Sequence, residues 1–326
     1  MRVVKCIKYG SPKESLRFDD IKKPIPKNNE VLIKNYATTV TIADCRVRGF
    51  IVPKSFWLPA RLAIGLFKPK KSILGNELSG VIENVGKNVT KFKIGDEVFA
   101  FTSHNLGAYS EYICLNENNC IALKPNNLNF EQSAALPFGG ITALHFLKKG
   151  NIQNGEKILN YGASGSVGTY SVQLAKHFGA IVTGICSTEN MKLVKNIGAD
   201  YVIDYKKFDL DDINEKYDIL FDTVGKGDIS KSIKLIKPNG RYLHTVTDPF
   251  IEKIIKLKLT GTQIKLIGGT YKAKVEHINC IRELALEGAI KPVIDKVYTL
   301  DQIVSAHEYV DKGHKKGNVI IKIINE

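Results

Sequence analysis

The order of apolar and polar residues follows one pattern up to about residue 122 and another beyond it. In the first part, short apolar or alternating runs are separated by Gly, Asn, Asp and Pro, as in EVLIKNYATTV, SGVIENVG, GDEVFAF and AYSEYICL. Strands joined by tight turns give this pattern. We therefore predict that residues 1–122 form a β-rich domain of hairpins.

From residue 123 onward, strand-like runs alternate with helical ones. The strand-like runs are EKILNYG, AIVTGIC, DYVID, YDILFDTVG and GRYLHTV, with helical segments between them. Repeated strand–helix units with buried strands form a parallel, doubly wound sheet. The predicted fold class is therefore α/β, with residues 123–287 as the doubly wound domain. Residues 288–326 return to a strand–helix–strand pattern and are predicted to complete the first domain.

The segment from Ile51 to Lys71 fits neither pattern. It contains three prolines and ends in basic residues. Proline interrupts the interior of regular helices and strands. We expect either a mobile loop or a short helix lying over the active site.

Length and composition are those of a soluble globular protein. The chain has 326 residues, 44% hydrophobic and 25% charged, which is enough for two domains. No apolar run approaches the roughly 20 residues of a membrane span, and the N-terminus lacks the features of a signal peptide. The six cysteines form no CxxC pair and indicate reduced thiols. A cytoplasmic protein without a membrane partner is predicted.

The formal net charge is +14. An excess of this size could attract nucleic acid, an anionic membrane or anionic ligands. The lysines are scattered, however, and no RNA-recognition signature or aromatic–basic alternation accompanies them. We therefore predict no nucleic-acid partner.

The clearest chemical motif is a glycine-rich loop, GASGSVG at residues 162–168, between a strand-like and a helical run. Glycine lets the backbone turn sharply and approach a pyrophosphate, and the helix N-terminus offers free N–H groups to it. The usual G-x-G-x-x-G pattern begins here with alanine. The residues predicted to contact the dinucleotide are Ala163, Ser164, Gly165, Ser166 and Val167.

The residues at the end of the following strand indicate whether the protein binds NADP or NAD. An acidic residue there would bind the ribose 2′-hydroxyl of NAD, but the sequence has Cys-Ser-Thr at 186–188. Hydroxyl groups and a lysine suit a 2′-phosphate, so Ser187, Lys192 and Tyr205 are predicted to bind NADP(H). The alternative is that Glu189 turns inward and favours NAD.

Several stretches together resemble the medium-chain dehydrogenase/reductase superfamily, almost from end to end. They include VLIKNYATTVTIADCRVRG, GNELSGVIENVGKNVTKFKIGDEVFAF, FGGITALHFL, NYGASGSVGTYSVQLAKHFGA and KPNGRYL. Within this alcohol dehydrogenase-like superfamily, the chain looks like the zinc-independent quinone oxidoreductase branch. The resemblance implies a GroES-like catalytic domain beside a Rossmann domain, an active site in the cleft between them, and a homodimer.

Zinc-dependent members of the superfamily take metal ligands from three places in the chain. The matching positions here are Thr41, Asn76 and Phe138. Zinc binds Cys, His and carboxylate side chains, so this set predicts no metal site. The alternative is a substitute site built from Cys45, Glu77 and a stray histidine.

Without a metal, the negative charge that develops on a carbonyl oxygen needs hydrogen-bond donors or a cation. The resemblance places Thr41, Asn76 and Arg48 near the cleft, and these are the predicted catalytic residues. Arg48 matches an arginine that is common in the quinone reductase branch. Arg46 stands where several relatives carry a tyrosine, so the proton donor is not identified.

Further cofactor contacts are expected from the resemblance and from strand ends. Asp44 is expected as a hydrogen-bond acceptor near the nicotinamide side, and Thr142 near the nicotinamide or the phosphates. Doubly wound sheets bind ligands at the carboxyl ends of their strands, where this sequence has Val224, His244 and Val246.

These features predict an NADPH-dependent oxidoreductase that reduces quinones or α,β-unsaturated carbonyl compounds by hydride transfer, without zinc or flavin. Two alternatives stay open. One is a reductase of 2-enoyl thioesters, which shares the scaffold but whose usual tyrosine donor is not evident around Arg46. The other is a non-catalytic protein that binds NADPH or RNA.

Overall fold

The computed structural model describes residues 1–52, 56–225, 229–245 and 263–324. The chain divides into two compact units. The first unit comprises Met1–Phe138, Ala273–Glu287 and Pro292–Glu326, and the second unit comprises Gly139–Lys272 and Gly288–Lys291.

The regular elements of the described residues follow one another along both units. The strands are β1 (Arg2–Cys6), β2 (Leu16–Asp20), β3 (Glu30–Thr39), β4 (Glu77–Val85), β5 (Glu97–Phe101), β6 (Tyr112–Asn116), β7 (Ile121–Leu123), β8 (Lys157–Tyr161), β9 (Ile181–Cys186), β10 (Tyr201–Asp204), β11 (Tyr217–Asp222), β12 (Ile236–His244), β13 (Lys265–Ile267), β14 (Ile294–Thr299) and β15 (Asn318–Lys322). The α-helices are α1 (Pro12–Ser15), α2 (Ile42–Gly49), α3 (Trp57–Ile64), α4 (Phe130–Ala134), α5 (Pro137–Lys149), α6 (Ser166–His177), α7 (Met191–Asn196), α8 (Ile229–Lys234), α9 (Val275–Leu286) and α10 (Ile303–Asp311).

The first unit is built on a sheet with the strand order β14-β15-β3-β4-β5-β7, and β6 also pairs with β3. Its strands pair antiparallel except for β14 with β15. Alternate residues of β3 and β4, among them Val31, Ile33, Leu78 and Ile82, are fully buried in one hydrophobic cluster. This β-rich architecture confirms the fold class predicted for the N-terminal part of the chain.

Helix α9 belongs to the first unit, whereas its place in the sequence suggested the second domain. Arg282 Nε donates to Leu123 O at 3.0 Å, and Asn127 Nδ2 donates to Ala285 O at 3.0 Å. These bonds connect α9 to β7 and the segment after it. The first unit also continues to Phe138, past the boundary expected at residue 122.

The second unit contains a six-stranded sheet with the order β10-β9-β8-β11-β12-β13. All of its strand pairs are parallel, which confirms the predicted doubly wound Rossmann sheet. When the six strands are numbered 1 to 6 along the chain, their order across the sheet is 3-2-1-4-5-6. The chain therefore reverses the direction in which it adds strands between β8 and β11. Ligands of such sheets bind beyond the carboxyl ends of the strands at this reversal.

The proline-containing segment 51–71 includes a short helix, α3, which is one of the two predicted outcomes. None of the residues in α3 is buried. It ends at Gly65, whose N–H bonds to Arg61 O at 3.0 Å.

Within the described ranges, no helix is both long enough and apolar enough to cross a membrane.

Candidate active site

The glycine-rich loop leads from β8 into α6. Gly162 has a φ of +82°, in the left-handed region that favours glycine. A Cβ on Gly162 would lie 2.1 Å from Val224 Cγ2, and a Cβ on Gly168 would lie 2.1 Å from Gly162 O. Close packing of the loop therefore requires glycine at both positions, whatever the loop binds.

Gly165 differs from the other two glycines because packing does not require it. Its φ is −78°, and it is the N-cap of α6. A Cβ there would meet only Gly162 O, at an ordinary 3.5 Å. The missing side chain instead leaves the backbone open to close approach by a ligand, next to the first-turn amides of α6. Ser166 and Val167 begin that turn, and their contact with a phosphate stays a prediction.

Asn190, which was not among the predicted site residues, joins the loop to the end of β9. Its Nδ2 donates to Ser164 Oγ and to Ser187 Oγ, both at 3.1 Å. The side chain is nearly buried, at 8% exposure. Two predicted cofactor residues are therefore held by one amide. The only signal in the sequence is a polar residue three positions after Ser187.

The corner expected to hold the 2′-phosphate contains charges of both signs. Glu189 pairs with Lys206, with Oε1 and Nζ 2.6 Å apart. This hydrogen bond, with further ones from its own backbone and from Ser187, lowers the pKa of Glu189 to about 2. Lys192 and Tyr205 are exposed. Lys206 thus adds a cation that the sequence prediction missed, and it neutralises the carboxylate that would favour NAD.

Asp222 shapes the loop that follows β11 on the other side of the reversal point. Its Oδ1 accepts hydrogen bonds from Val224 N at 2.9 Å and Gly225 N at 2.8 Å. Its Oδ2 accepts one from Tyr242 Oη at 3.1 Å. This turn places the Val224 side chain next to Gly162, where it occupies the space of a Cβ. Asp222 is a third residue that sequence reasoning missed.

His244 ends β12 and is fully buried. Its ring meets the ring of Tyr242 edge to face, with 5.9 Å between the centroids. Its contact with the cofactor stays a prediction. Val246, predicted beside it, lies outside the described residues.

Thr142 lies on α5, where its hydroxyl pairs with that of Tyr271 at 2.9 Å. The Tyr271 ring stacks on His145, with 4.4 Å between the centroids. The sequence prediction overlooked Tyr271 because nothing in the short GGTYK stretch brings it to α5. Both hydroxyls lie in the second unit.

In the first unit, Thr41 and Asp44 form a capping box at the N-terminus of α2. Asp44 Oδ2 accepts from Thr41 N at 2.9 Å and from Thr41 Oγ1 at 2.6 Å, and Oδ1 accepts from Gly75 N at 3.1 Å. Burial raises the pKa of Asp44 to about 6, although these hydrogen bonds favour its carboxylate. The hydroxyl hydrogen of Thr41 is therefore already used and is not free for a substrate.

Asn76 follows a tight turn at Gly75, where a Cβ would lie 2.7 Å from the Tyr109 ring. Its Nδ2 donates to Thr41 Oγ1 at 3.1 Å. Because Thr41 gives its hydrogen to Asp44, it can only accept here, and this fixes the orientation of the amide. Asn76 is 4% exposed, and its Oδ1 has no hydrogen-bond partner among the described residues. A buried polar atom without a partner costs stability.

Glu77 is buried beside Asn76 and supports the same turn. Its carboxylate accepts hydrogen bonds from Thr39 Oγ1 and, at 2.6 Å, from Phe138 N. Burial raises its pKa to about 8. This carboxyl therefore links the start of β4 to the start of α5.

Arg48 has structural partners instead of a place beside Asn76. Its guanidinium is almost fully buried, donates to Gly10 O, and pairs with Asp311 Oδ2 at 2.5 Å. These bonds hold α2 against α10 and the N-terminal turn. They favour a structural role for Arg48, contrary to the catalytic role expected from the sequence.

A buried polar network stands behind Asp44. Cys45 Sγ lies 3.4 Å from His307 Nδ1, and His307 Nε2 lies 3.1 Å from Tyr109 Oη. Burial lowers the pKa of His307 to about 3 and raises the pKa of the Cys45 thiol. The histidine is therefore neutral, and the cysteine is a protonated thiol instead of the thiolate that binds metals.

Comparison with known proteins identifies the family of the chain. Residues 27–125 match the family described as alcohol dehydrogenase GroES-like domain, and residues 197–321 match the family described as zinc-binding dehydrogenase. The chain is 30% identical to the quinone oxidoreductase of Homo sapiens, over 96% of this chain and 94% of that one. The chain is a medium-chain dehydrogenase/reductase. It belongs to the quinone oxidoreductase-like branch of the superfamily, as its sequence motifs predicted.

Two further matches span nearly the whole of this medium-chain dehydrogenase/reductase. The NADPH-dependent alkenal/one oxidoreductase of Arabidopsis thaliana, a chloroplastic protein, is 31% identical over 96% of this chain and 77% of its own length. The solved structure of the quinone oxidoreductase from Coxiella burnetii superposes with a TM-score of 0.88 at 28% identity, covering 99% of each chain.

The three positions that hold zinc in other medium-chain dehydrogenases/reductases lie close together here. Asn76 bonds to Thr41, and the backbone of Phe138 bonds to Glu77, the residue after Asn76. A hydroxyl, an amide and a phenyl ring do not fit zinc. Of the substitute ligands, Cys45 contacts His307, and Glu77 accepts a hydrogen bond from Thr39. Among the described residues, no group of three His, Cys, Asp or Glu side chains is suited to a metal.

Proposed function

We propose that this protein is an NADPH-dependent oxidoreductase that reduces quinones or α,β-unsaturated carbonyl compounds without zinc or flavin. The observation that carries the proposal is the hydrogen-bonded pair of Thr41 and Asn76 at positions where relatives bind zinc. This pair offers a fixed donor in place of a metal. Relatives named quinone oxidoreductase and alkenal/one oxidoreductase support the substrate class.

The second unit supplies the residues that would hold NADPH, which provides a hydride when bound. Gly165 and the first turn of α6 fit a pyrophosphate, because the backbone there can be approached closely. Ser187 and Lys192 supply a hydroxyl and a positive charge that suit a 2′-phosphate, and Lys206 neutralises the nearby Glu189. The name of the Arabidopsis relative supports NADPH as the cofactor.

In this proposal Asn76 stabilises the negative charge that develops on the carbonyl oxygen of the acceptor. An amide nitrogen has two hydrogens, and one of them goes to Thr41. The second is the donor that we assign to the oxygen. Thr41 and Asp44 are positioning residues, since they act by fixing the amide. A donor that is fixed before reaction needs no reorganisation as the charge appears.

Steady-state assays test this function. NADPH oxidation by the protein should proceed with a quinone or an enone, in protein shown by metal analysis to contain no stoichiometric zinc. Turnover confined to a crotonyl thioester would identify a thioester reductase instead. Salt-sensitive RNA binding without turnover on any acceptor would identify a binding protein. Stoichiometric zinc in active protein purified without added metal would contradict the role of Asn76.

We also infer a cytoplasmic homodimer. All six cysteines are free thiols, which supports a reducing compartment. The dimer rests on the superfamily resemblance. Analytical ultracentrifugation of the 36.2 kDa chain tests it, and a single species of monomer mass across the concentration range would contradict it.

A further inference from the structure

Helix α3 and the residues after it present apolar side chains to solvent. Leu58 is 62% exposed, Leu62 61% and Phe67 85%, and Leu66 is exposed as well. We call residues 56–71 the α3 surface. Single exposed leucines are common on proteins, whereas a cluster of this kind marks a site of interaction.

The orientation of α3 is fixed by aromatic contacts on its inner side. The Arg61 guanidinium lies 3.9 Å from the ring centroid of Phe50, 4.6 Å from that of Tyr9 and 5.0 Å from that of Trp57. Cation–π contacts of this length are attractive. Leu58 and Leu62 are four residues apart and so share one helix face. Their exposure shows that this face points to solvent, while Arg61 anchors the helix on Phe50 and Tyr9.

Positive charge borders the outward face. Between Asp44 and Glu77 the sequence has no acidic residue, while Lys68, Lys70 and Lys71 follow α3. Lys70 Nζ bonds to Leu62 O at 2.7 Å, and Lys71 Nζ bonds to Asn105 Oδ1 at 2.9 Å. Cations are thus held at the edge of the apolar patch, in a chain whose net charge is +14.

We propose that the α3 surface docks on an anionic lipid bilayer at the level of the headgroups. Helices that bind membranes in this way combine leucine and aromatic side chains on one face with lysine and arginine beside it. RNA would use the cations but would leave Leu58, Leu62 and Phe67 in water. The prediction of no membrane partner rested on the absence of a spanning segment, and interfacial docking needs none.

Trp57 makes the proposal directly measurable, because it is the only tryptophan in the chain and is half exposed. Vesicles of phosphatidylserine and phosphatidylcholine should shift its emission to shorter wavelength and protect it from acrylamide. Vesicles of phosphatidylcholine alone should do so weakly, and added salt should reverse the effect. Co-sedimentation with the same vesicles gives the bound fraction independently.

Two variants separate the apolar and the ionic contributions. L58S/L62S should lower vesicle partitioning by about tenfold, since it removes apolar area that the bilayer would cover. K68Q/K70Q/K71Q should abolish the preference for phosphatidylserine. The matched control is Ile25→Ser, which removes an apolar side chain 78% exposed outside the α3 surface and should bind like wild type. Circular dichroism and melting temperature establish that each variant is folded.

Absence of binding to anionic vesicles at low salt would overturn the proposal. So would an emission shift that appears with rising protein concentration and no vesicles, which would assign the α3 surface to a second copy of the chain. RNA binding that L58S/L62S leaves unchanged, together with no vesicle binding, would assign the charge to nucleic acid.

Discussion

At the scale of single residues, the buried carboxyl of Glu77 makes stability depend on pH. Its pKa rises from 4.5 to about 8 in the folded protein because burial disfavours the charged form. Between these values the native state keeps a proton that the unfolded chain has released, so the free energy of unfolding falls as the pH rises.

Glu77→Gln should remove most of this slope, because glutamine keeps the shape and does not titrate. Urea denaturation at several pH values between about 5 and 8 measures the slope. Each unit of pKa difference between the folded and unfolded states changes the free energy of unfolding by about 1.4 kcal/mol. The slope that remains should lie below about pH 6, where Asp44 titrates. The exposed Glu287 provides the control: Glu287→Gln should keep the wild-type slope. An unchanged slope in Glu77→Gln would show that Glu77 titrates normally.

Asn76→Ala tests the proposed donor at the same scale. Loss of one preorganised hydrogen bond should lower kcat by about 10²-fold. The melting temperature should stay close to that of the wild type, since the change also removes a buried oxygen that has no hydrogen-bond partner among the described residues. Asn84→Ala, at an exposed asparagine on β4, is the matched control. Unchanged turnover in Asn76→Ala would mean that the side chain only fills space.

Some contacts of the candidate site could be expected from the sequence, and others could not for a physical reason. Thr41 and Asn76 could be singled out because each lies in a recognisable motif, and the structure brings them within hydrogen-bond distance. Asn190, Asp222 and Tyr271 act through contacts that depend on turns and on distant strands, which periodicity does not reveal. The ion pair of Arg48 could not be predicted for the same reason, since its partner Asp311 is 263 residues away.

At the scale of elements, the glycines of the nucleotide loop have separable roles. Gly165→Ala should raise the KM for NADPH by roughly tenfold or more, because a Cβ would occupy the space of the pyrophosphate. It should leave the melting temperature nearly unchanged, since no close contact is made. Gly168→Ala should instead destabilise the protein by about 1–3 kcal/mol, the cost of forcing atoms into a packed site.

Titration with NADPH and thermal melting of both variants measure these effects. A Gly165→Ala protein with wild-type affinity would place the pyrophosphate elsewhere. If it lost stability like Gly168→Ala, the loop would be a packing element only.

The strands and helices of the second unit were predictable because buried parallel strands are continuous apolar runs. Helix α3 could not be distinguished from a loop, since three prolines lie in its segment. Its cation–π anchor on Tyr9 and Phe50 comes from residues that are close in space and not implied by helical periodicity.

At the scale of the whole molecule, the first unit depends on its last strand. β15 pairs with β14 on one side and with β3 on the other. Ile320→Pro should therefore unfold the first unit, because proline removes a ladder hydrogen bond in the middle of a sheet. Hydrogen exchange followed by mass spectrometry should show loss of protection in β3 and β4 and retention in β8 and β9.

Val297→Pro is the comparison for that experiment, since it lies in the edge strand β14 and is 48% exposed. It should cause a smaller, local loss of protection. Equal loss in both units for Ile320→Pro would show that they unfold as one cooperative body.

The limits of the units could not be predicted from local sequence. Composition changes near residue 123, yet the first unit continues to Phe138 and includes α9. Those assignments follow from hydrogen bonds between segments about 160 residues apart, such as Arg282 to Leu123.

The position of β15 also affects the order in which the two sheets can form during translation. Every strand of the second unit has been synthesised by residue 267, so its sheet can form while the chain is still growing. The sheet of the first unit keeps an unfilled place beside residues 37–39 of β3 until residues 318–322 emerge. Residues 37–39 of nascent β3 must therefore stay unpaired on that side while about 280 further residues are synthesised, which makes this exposed edge a target for chaperones during synthesis.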